Sequence, residues 1–428
     1  MSETPQPAYP AELGAFVRQR WPDDATYPLP RRDILDELLS TAYQASLLSE
    51  ESRPVQCRLL FIQADALPAD GGPPTGFHRL RFAPPRPFSD HEVRRLFRAA
   101  KYQRALIGVG LDDDGKLAIW GIIQSGPRWL VAAHGMRADP APMPRALIVR
   151  VSGPGRVAVA CGATTIAELR GGRLTNTTMD VFASAWLGER FGNVRDEFRT
   201  LLAEGERNAG QRWARVQPDV IRSMTQQVFR RLVATIRSGH HGGAVLILPP
   251  ECIRGIADGR YVRLKYTFAD EEPRRRHRSL LFELVSTLAA DGDPDGPPVG
   301  WEAYHASRKI AALEESLLEV AHLFAALADV DGAVVVTPRL EFLGFGAEIG
   351  GDMPNVDRVF RALDLEATTR EEERVDSEGT RHRSAYRLCA QFHDALAIVV
   401  SQDGAARFVA WHEGAVTFWD HASLGGEA

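Results

Sequence analysis

The chain has 428 residues, of which 44% are hydrophobic and 25% are charged. These proportions are typical of a soluble globular protein and exclude collagen-like, disulfide-stapled and wholly disordered classes. Its 51 basic residues against 56 acidic ones leave a formal charge of −5, which gives no sign of bulk nucleic-acid binding. The cysteines contain no CxxC pair and predict reduced thiols rather than a disulfide frame or a zinc site: Cys57, Cys161, Cys252 and Cys389.

Two features bear on location and size. No stretch reaches the roughly 18 consecutive apolar residues of a membrane span, and the N-terminus lacks the basic and apolar regions of a signal peptide. We therefore expect a cytoplasmic protein with no membrane partner. At about 100–200 residues per domain, the length favours two or three domains.

The first half of the chain predicts an α+β domain. Residues 1–30 are rich in proline and polar side chains and predict a flexible N-terminal arm. Apolar residues at helical spacing follow Arg31, and Ser89 with Glu92 forms the capping-box pattern of a helix start. The segment ALIGVGL-DDDGK-LAIWGIIQ predicts a hairpin whose turn uses Gly115. Further strands are expected at Val55–Gln63, Ala146–Val151, Val157–Cys161 and Thr165–Leu169, and a helical stretch from Thr178 to about Gly205 completes a regulatory domain at 31–210.

The second half, residues 211–428, predicts an α/β domain. Asp219–Ser238 carries apolar residues along one helix face, and AVLILPP is a continuous apolar run typical of a strand buried on both faces. A long helix is expected from Tyr304 to Ala328, and we favour packing on the sheet over a dimer coil. The predicted fold class is therefore α/β, with a mixed C-terminal sheet flanked by helices and preceded by an α+β N-terminal domain.

The triplet Asp331-Gly332-Ala333 stands at the mouth of a predicted strand, Val334–Thr337. An aspartate at such a strand end can hold a divalent cation or accept a proton from an attacking hydroxyl, and glycine lets a ligand approach the backbone. A plain turn before a strand explains the same three residues equally well, so the triplet is a weak signal by itself.

The string GTRHRS, residues 379–384, opens a second predicted helix. The first backbone amides of a helix form an anion site, and Arg381 and Arg383 flank His382 with positive charge suited to a polyphosphate. A solvated basic cap is the simpler interpretation. Basic residues in a first turn oppose the helix dipole, however, and this favours a bound anion.

Two other segments bear on this motif. Ser401 ends the apolar strand Leu396–Val400, a position where loops commonly meet a ligand. The string Arg276–Ser279 repeats R-H-R-S without the preceding Gly-Thr. We therefore predict that this second copy is a charged helix start outside the site.

Taken together, DGA, a later GTRHRS and a strand ending in serine resemble the diadenylate cyclase (DAC) domain. The resemblance covers about Pro218 to Trp419, where the elements follow the family's order. GTRHR with an upstream DGA is quite specific, whereas either motif alone is not. The N-terminal half looks like the sensor-type modules found ahead of DAC domains.

The resemblance implies a reaction that joins two ATP molecules into cyclic di-AMP. Each 3′-hydroxyl attacks the α-phosphate of the other ATP, and pyrophosphate leaves. Because each domain holds one ATP, the resemblance also implies self-association that brings two sites face to face. The N-terminal domain is then expected to control that pairing.

The resemblance also assigns roles to individual residues. Asp331 would hold Mg²⁺ or Mn²⁺ and help activate the 3′-hydroxyl. The nucleoside would be lined by Gly332, Ala333 and Ile349. The phosphates would be bound by Gly379, Thr380, Arg381, His382, Arg383, Ser384 and Ser401. The expected catalytic set is Asp331, Arg381, His382 and Arg383.

Some positions depart from the family's pattern. Val330 stands where one branch carries a metal-binding histidine, and Gln402-Asp403 stand in place of paired glutamates. Asp403 could substitute for one of these. The acidic stretch Arg370–Asp376 looks like an insertion. No helix-hairpin-helix DNA-binding motif is evident after residue 420, so a DNA-scanning role is not expected.

Three hypotheses remain open on the sequence alone. The leading one is an active diadenylate cyclase regulated by its N-terminal domain. The second is a catalytically silent DAC-like protein that binds ATP or a cyclic nucleotide as a signal. The third is a structural or interaction protein in which the motifs are coincidental. Intact DGA and GTRHR favour the first.

Overall fold

A computed structural model describes residues 7–67, 77–102, 104–125, 144–162, 164–175, 179–238, 242–249, 260–402 and 405–421. The chain divides into two compact units, the first ending at Thr178 and the second beginning at Met179. Both units combine helices with β-sheet, which confirms the predicted mixed α/β class. Within the described ranges, no helix is long and apolar enough to cross a lipid bilayer.

The first unit is built around one large sheet. Its described helices are α1 (Pro10–Gln19), α2 (Arg32–Ser46) and α3 (Asp90–Leu96). Its strands are β1 (Ser49–Glu50), β2 (Arg53–Pro54), β3 (Cys57–Phe61), β4 (His78–Pro87), β5 (Ala105–Leu111), β6 (Leu117–Gln124), β7 (Leu147–Gly153), β8 (Arg156–Cys161), β9 (Thr164–Arg170) and β10 (Arg173–Thr175). Among the described residues, eight strands pair in the order β10-β9-β8-β7-β3-β5-β6-β4.

The prediction of a flexible arm over residues 1–30 is wrong for α1. Pro10 occupies the first turn of this helix, where its missing N–H costs nothing. Leu13 and Val17 lie one turn apart and are fully buried in the same core cluster as Leu35 and Leu39 of α2. An apolar pair at helical spacing therefore orders a segment whose composition suggests a loop.

The hairpin predicted around Gly115 is confirmed. The β5 and β6 strands pair antiparallel, and Gly115 has a φ of +75° in the turn between them. The Asp112 carboxylate accepts hydrogen bonds from the backbone N–H groups of Asp114 and Lys116 at 3.0 and 2.8 Å. These bonds close an aspartate-stabilised turn.

The second unit holds most of the helices. Its described helices are α4 (Ala185–Arg190), α5 (Gly192–Ala209), α6 (Pro218–Ser238), α7 (Glu271–Ala290), α8 (Trp301–Ala306), α9 (Arg308–Leu327) and α10 (Thr380–Gln391), with short 3₁₀ turns at Val181–Ala183 and Val375–Ser377. Its strands are β11 (Gly243–Ile247), β12 (Val262–Arg263), β13 (Tyr266–Thr267), β14 (Ala333–Val336), β15 (Phe342–Ile349), β16 (Arg358–Ala362), β17 (Arg370–Arg374), β18 (Leu396–Val400), β19 (Ala406–His412) and β20 (Ala415–His421).

The sheet of this unit is mixed and covered on both faces. Over the described residues its order is β12-β15-β14-β11-β18-β19-β20-β16-β17, and β13 also pairs with β15. Val245 and Ile247 of β11 face a core with α6, α7 and α9, whereas Ala244 and Leu246 face a second core with α10. The continuous apolar run of β11 is thus buried on both faces, as predicted.

The second unit begins at Met179, so the boundary between the units lies two helices before the boundary predicted at residue 210. The Trp186 ring of α4 stacks on Trp419 of β20, with ring centroids 4.2 Å apart. Its indole N–H donates to the Leu365 carbonyl at 3.0 Å. These contacts place α4 in the core of the second unit, and no motif in the sequence marks that attachment.

The long helix predicted from Tyr304 to Ala328 is two helices, α8 and α9. Ser307 separates them because its backbone is extended and its hydroxyl caps α9, accepting from the Ile310 N–H at 3.4 Å. The apolar stripe of α9 lies in the unit's own core, which confirms packing on the sheet and leaves no need for a dimer coil.

A buried histidine is expected to make the second unit less stable in acid. His277 of α7 is 1% exposed, and neither ring nitrogen has a hydrogen-bond partner among the described residues. Burial lowers its pKa from 6.5 to about 4. Between these pH values the unfolded chain binds more protons than the folded one, so acidification favours unfolding.

We expect His277→Leu to remove this contribution. Relative to the unsubstituted chain, the variant should gain about 2 kcal/mol of unfolding free energy between pH 7.5 and pH 5, at about 1.4 kcal/mol per pH unit below 6.5. Urea denaturation of both proteins at several pH values measures the difference. If the unfolding free energies of the two proteins changed with pH in parallel, His277 would have to be hydrogen-bonded or hydrated in solution.

Candidate functional site

One edge of the second unit's sheet gathers the strand ends that carry the predicted site. β14 runs parallel to β11, and β18 runs antiparallel to it, with Gly243 opposite Val400. Asp331 before β14, Gly242 before β11 and Ser401 after β18 therefore lie at the same end of three adjacent strands. We call this end the motif edge. At about 4.8 Å per strand, the outer two strands are about 10 Å apart.

The DGA triplet forms the entrance to β14. Asp331 is exposed, and its carboxylate accepts no hydrogen bond from the described residues. Gly332 has a φ of +119°, and a Cβ there would lie 2.5 Å from the carbonyl carbon of Gly346. Only glycine fits this conformation and this contact with β15. Ala333 is buried opposite Ala347.

Charged residues that the sequence prediction missed lie beside Asp331. The Glu348 carboxylate of β15 binds Lys265 Nζ at 3.0 Å and Arg263 Nη2 at 2.5 Å. Glu348, through a hydrogen bond and its charge, raises the pKa of Lys265, and Asp331 adds to this. The half-buried Ile349, predicted to face adenine, is the next residue of β15 and pairs with Val262.

The GTRHRS string opens α10, as predicted. Gly379 is the N-cap residue, with extended backbone and no side chain to cap the helix. The first-turn N–H groups consequently lack a side-chain acceptor, which is the arrangement that binds anions. Thr380, Arg381 and Arg383 are exposed, whereas Ser384 is half-buried.

Arg381 connects the start of α10 to the motif edge. A Cβ on Gly242 would lie 2.9 Å from Arg381 Nη1 and 2.9 Å from the Val400 carbonyl oxygen. The guanidinium therefore lies over the end of β11, the strand between Asp331 and Ser401. The two predicted motifs occupy neighbouring positions on one edge.

Ser401 itself closes the turn after β18. Its backbone N–H and its hydroxyl donate to the Ala405 carbonyl at 2.8 and 3.2 Å. Asp403, which could replace a family glutamate, lies outside the described residues. The predicted phosphate contact of Ser401 therefore stays a prediction.

His382 is held differently from its two arginine neighbours. Its side chain is 14% exposed, and Nδ1 lies 3.7 Å from Glu378 Oε2. Burial, together with the charge of Arg407, lowers its pKa, and Glu378 opposes this. The lowered pKa disfavours the protonated ring, so the positive charge of the motif comes mainly from the arginines.

The second R-H-R-S copy lies at the opposite end of the sheet, which agrees with its exclusion from the site. Arg276 pairs with Glu272 at 3.1 Å within α7. Arg278 pairs with Glu341 at 3.3 Å, at the end of β15 remote from Ala347. Local glutamates therefore balance this copy, which lies in the first turns of a helix that begins at Glu271.

A divalent cation at Asp331 fits the residues present only if a nucleotide supplies further ligands. In the described part of the chain, no three His, Cys, Asp or Glu side chains cluster as metal ligands. Mg²⁺ is commonly bound through one or two carboxylates together with phosphate oxygens and waters. The exposed Asp331 suits that mode and does not make a resident metal centre.

Comparison with known families supports the predicted role of the first unit. A family model described as "Probable sensor domain DACNV" matches residues 24–124. This range contains α2, α3 and strands β1 to β6. No curated protein is significantly similar in sequence to the chain. The N-terminal unit thus carries a probable sensor domain.

Proposed function

We propose that the protein is a diadenylate cyclase that converts two ATP molecules into cyclic di-AMP and two pyrophosphates. The observation that carries the proposal is that the Arg381 guanidinium lies over the start of β11, next to the strand end that carries Asp331. Each motif alone has an ordinary structural explanation. A shared edge is required only if both act on one nucleotide.

The chemistry needs a bound polyphosphate and a deprotonated hydroxyl. Arg381, Arg383 and the uncapped amides of α10 bind and orient the triphosphate, because cationic donors stabilise the charge that develops on the leaving pyrophosphate. Asp331 accepts the proton of the attacking 3′-hydroxyl. The new bond joins that oxygen to the α-phosphorus, and the bond from the α-phosphorus to the bridging oxygen breaks.

Small and apolar residues next to these groups suit the nucleoside. Gly332 and Ala333 add little bulk at the mouth of β14, and Ile349 offers an apolar side chain for the base. When bound with ATP at Asp331, Mg²⁺ or Mn²⁺ neutralises phosphate charge. Lys265 and Arg263 share the Glu348 carboxylate, so one net positive charge remains beside Asp331.

The reaction also requires a second copy of the chain. One ATP per domain supplies one hydroxyl and one α-phosphate, so ring closure needs two motif edges facing each other. The rate of product formation per chain should therefore rise with protein concentration in the range where the chain associates. The probable sensor domain is suited to control this pairing.

The test is incubation of the full chain with ATP and Mg²⁺ or Mn²⁺, with detection of cyclic di-AMP by liquid chromatography and mass spectrometry. We expect product and two equivalents of pyrophosphate. ATP binding without product would instead support the silent nucleotide-binding protein. Absence of both binding and product would refute the proposed site.

A further inference from the structure

An ion-pair cluster lies beneath the start of α10, and its central member is Arg407 of β19. Arg407 Nη1 donates to Glu378 Oε1 at 2.6 Å and to the Tyr386 hydroxyl at 3.2 Å. Its Nε donates to Asp420 Oδ1 at 3.0 Å, and its guanidinium carbon lies 4.4 Å from the Phe418 ring centroid. One side chain thus connects the turn before α10, α10 itself and β20.

The Arg407–Glu378 pair of this cluster is largely shielded from solvent. The side chains of Arg407 and Glu378 are 21% and 17% exposed. Burial alone would lower the pKa of Arg407, but Asp420, Tyr386 and Glu378 outweigh it and raise that pKa. Arg407 is consequently a permanent positive charge, and its 2.6 Å bond holds that charge against the Glu378 carboxylate.

His382 lies within the field of this cluster. Desolvation comes first among the causes that lower its pKa, and the like charges of Arg407 and Arg381 add to it. Glu378 and Asp420 act in the opposite direction. Its protonation therefore depends on burial first, and then on the balance between the Arg407 and Glu378 charges.

We propose that Arg407 is a positioning residue of the candidate site, because its bonds to Glu378, Tyr386 and Asp420 hold the start of α10 and the His382 ring in place. Arg407 takes up most of the Glu378 charge and leaves His382 uncharged beside it. The expected effect on turnover rests on the proposed cyclase function. The expected change in the pKa of His382 is independent of that function.

The first test follows His382 by NMR of histidine-labelled full chain, with the resonance assigned by its loss in His382→Gln. In Arg407→Met the pKa of His382 should rise, because a repelling charge is gone and Glu378 is unpaired. In the isosteric Glu378→Gln it should fall. In Arg407→Lys, which keeps the positive charge, the pKa of His382 should stay near its value in the unsubstituted protein.

Arg361 provides the matched control for this test. It binds the far oxygen of Asp420 at 3.0 Å, belongs to the same cluster and makes no bond to Glu378. Arg361→Met should leave the pKa of His382 unchanged. A merely structural role for Arg407 predicts a different pattern, in which Arg407→Met and Glu378→Gln both shift His382 toward 6.5; that result would overturn the proposal.

The second test uses the pH dependence of cyclic di-AMP formation. Arg407→Met should lower turnover at saturating ATP at least about tenfold, because the groups that Arg407 orients lose their productive geometry even when ATP is bound. Because His382 belongs to the expected catalytic set and Arg407 favours its neutral form, the acid limb of the profile should move to higher pH, and Arg407→Lys should restore part of the rate. An unchanged pH profile of product formation would contradict the proposal.

If the unsubstituted chain forms no product, the proposed cyclase function fails. The NMR test of the pKa of His382 still decides the role of Arg407 in that case.

Discussion

Replacing Asp331 by asparagine is expected to lower cyclic di-AMP formation at least about 100-fold, the usual contribution of a positioned general base. Asparagine keeps the size of the side chain but can neither accept the 3′-hydroxyl proton nor hold a cation through a charged oxygen. Asp331 is exposed, and the fold does not use its carboxylate in any described hydrogen bond. The melting temperature should therefore stay unchanged, and the product assay measures the loss.

Asp394 offers a matched control. It is also exposed and also stands two residues before a buried strand, β18, but at the opposite end of the sheet, where Leu396 pairs with Ile247. Asp394→Asn should leave product formation near the unsubstituted level. Equal activity of Asp331→Asn and Asp394→Asn would refute the assignment of Asp331.

The second large effect is expected from Arg381→Ala combined with Arg383→Ala. Each charge-assisted hydrogen bond to phosphate contributes about 1.5–3 kcal/mol, so loss of both should weaken ATP binding about 100-fold or more. Neither guanidinium is buried, and the double variant should fold normally. Isothermal titration calorimetry with ATP and Mg²⁺ measures the affinity.

The second R-H-R-S copy supplies the comparison within the same chain. Arg276→Ala with Arg278→Ala removes the same two charges from α7 at the other end of the sheet. Because Arg278 is ion-paired, this variant should lose some stability but keep its ATP affinity. An equal loss of affinity in both double variants would indicate a general charge effect and would count against a site at α10.

Much of the second unit follows from local patterns. The residues of β11 alternate between two cores, and such a strand must be continuously apolar. Helix α6 buries the predicted stripe, including Val220, Met224 and Leu232, because these positions repeat with the helix period.

Other elements depend on contacts distant in sequence. Strand β4 contains Pro84, Pro85 and Pro87, and its position at the edge of the first sheet is what tolerates them. Residues 179–210 belong to the second unit because of contacts such as the Trp186–Trp419 stack and the Arg190 bonds to the Ala395 and Trp411 carbonyls. Neither arrangement has a local signature, since both are decided by where another segment of the chain packs.

The candidate site likewise has one part that the sequence predicts and another part that depends on distant contacts. The motif residues are visible in sequence because their spacing and types are characteristic. Lys265 and Glu348 come together through pairing of β12 and β13 with β15, and Glu378 reaches Arg407 across α10 and β19. These supporting charges carry no motif, because one ionic partner is equivalent to another until the fold brings them together.

The central claim is that Asp331 and Arg381 bind the same nucleoside triphosphate. A crystal structure of the full chain with a non-hydrolysable ATP analogue and Mn²⁺ tests this most directly, because manganese is located by its anomalous scattering. We predict Mn²⁺ at the Asp331 carboxylate and the triphosphate extending over Gly242 to Arg381 and the first amides of α10. An analogue bound elsewhere, or one that contacts Arg381 with Asp331 remote from its phosphates, would contradict the account.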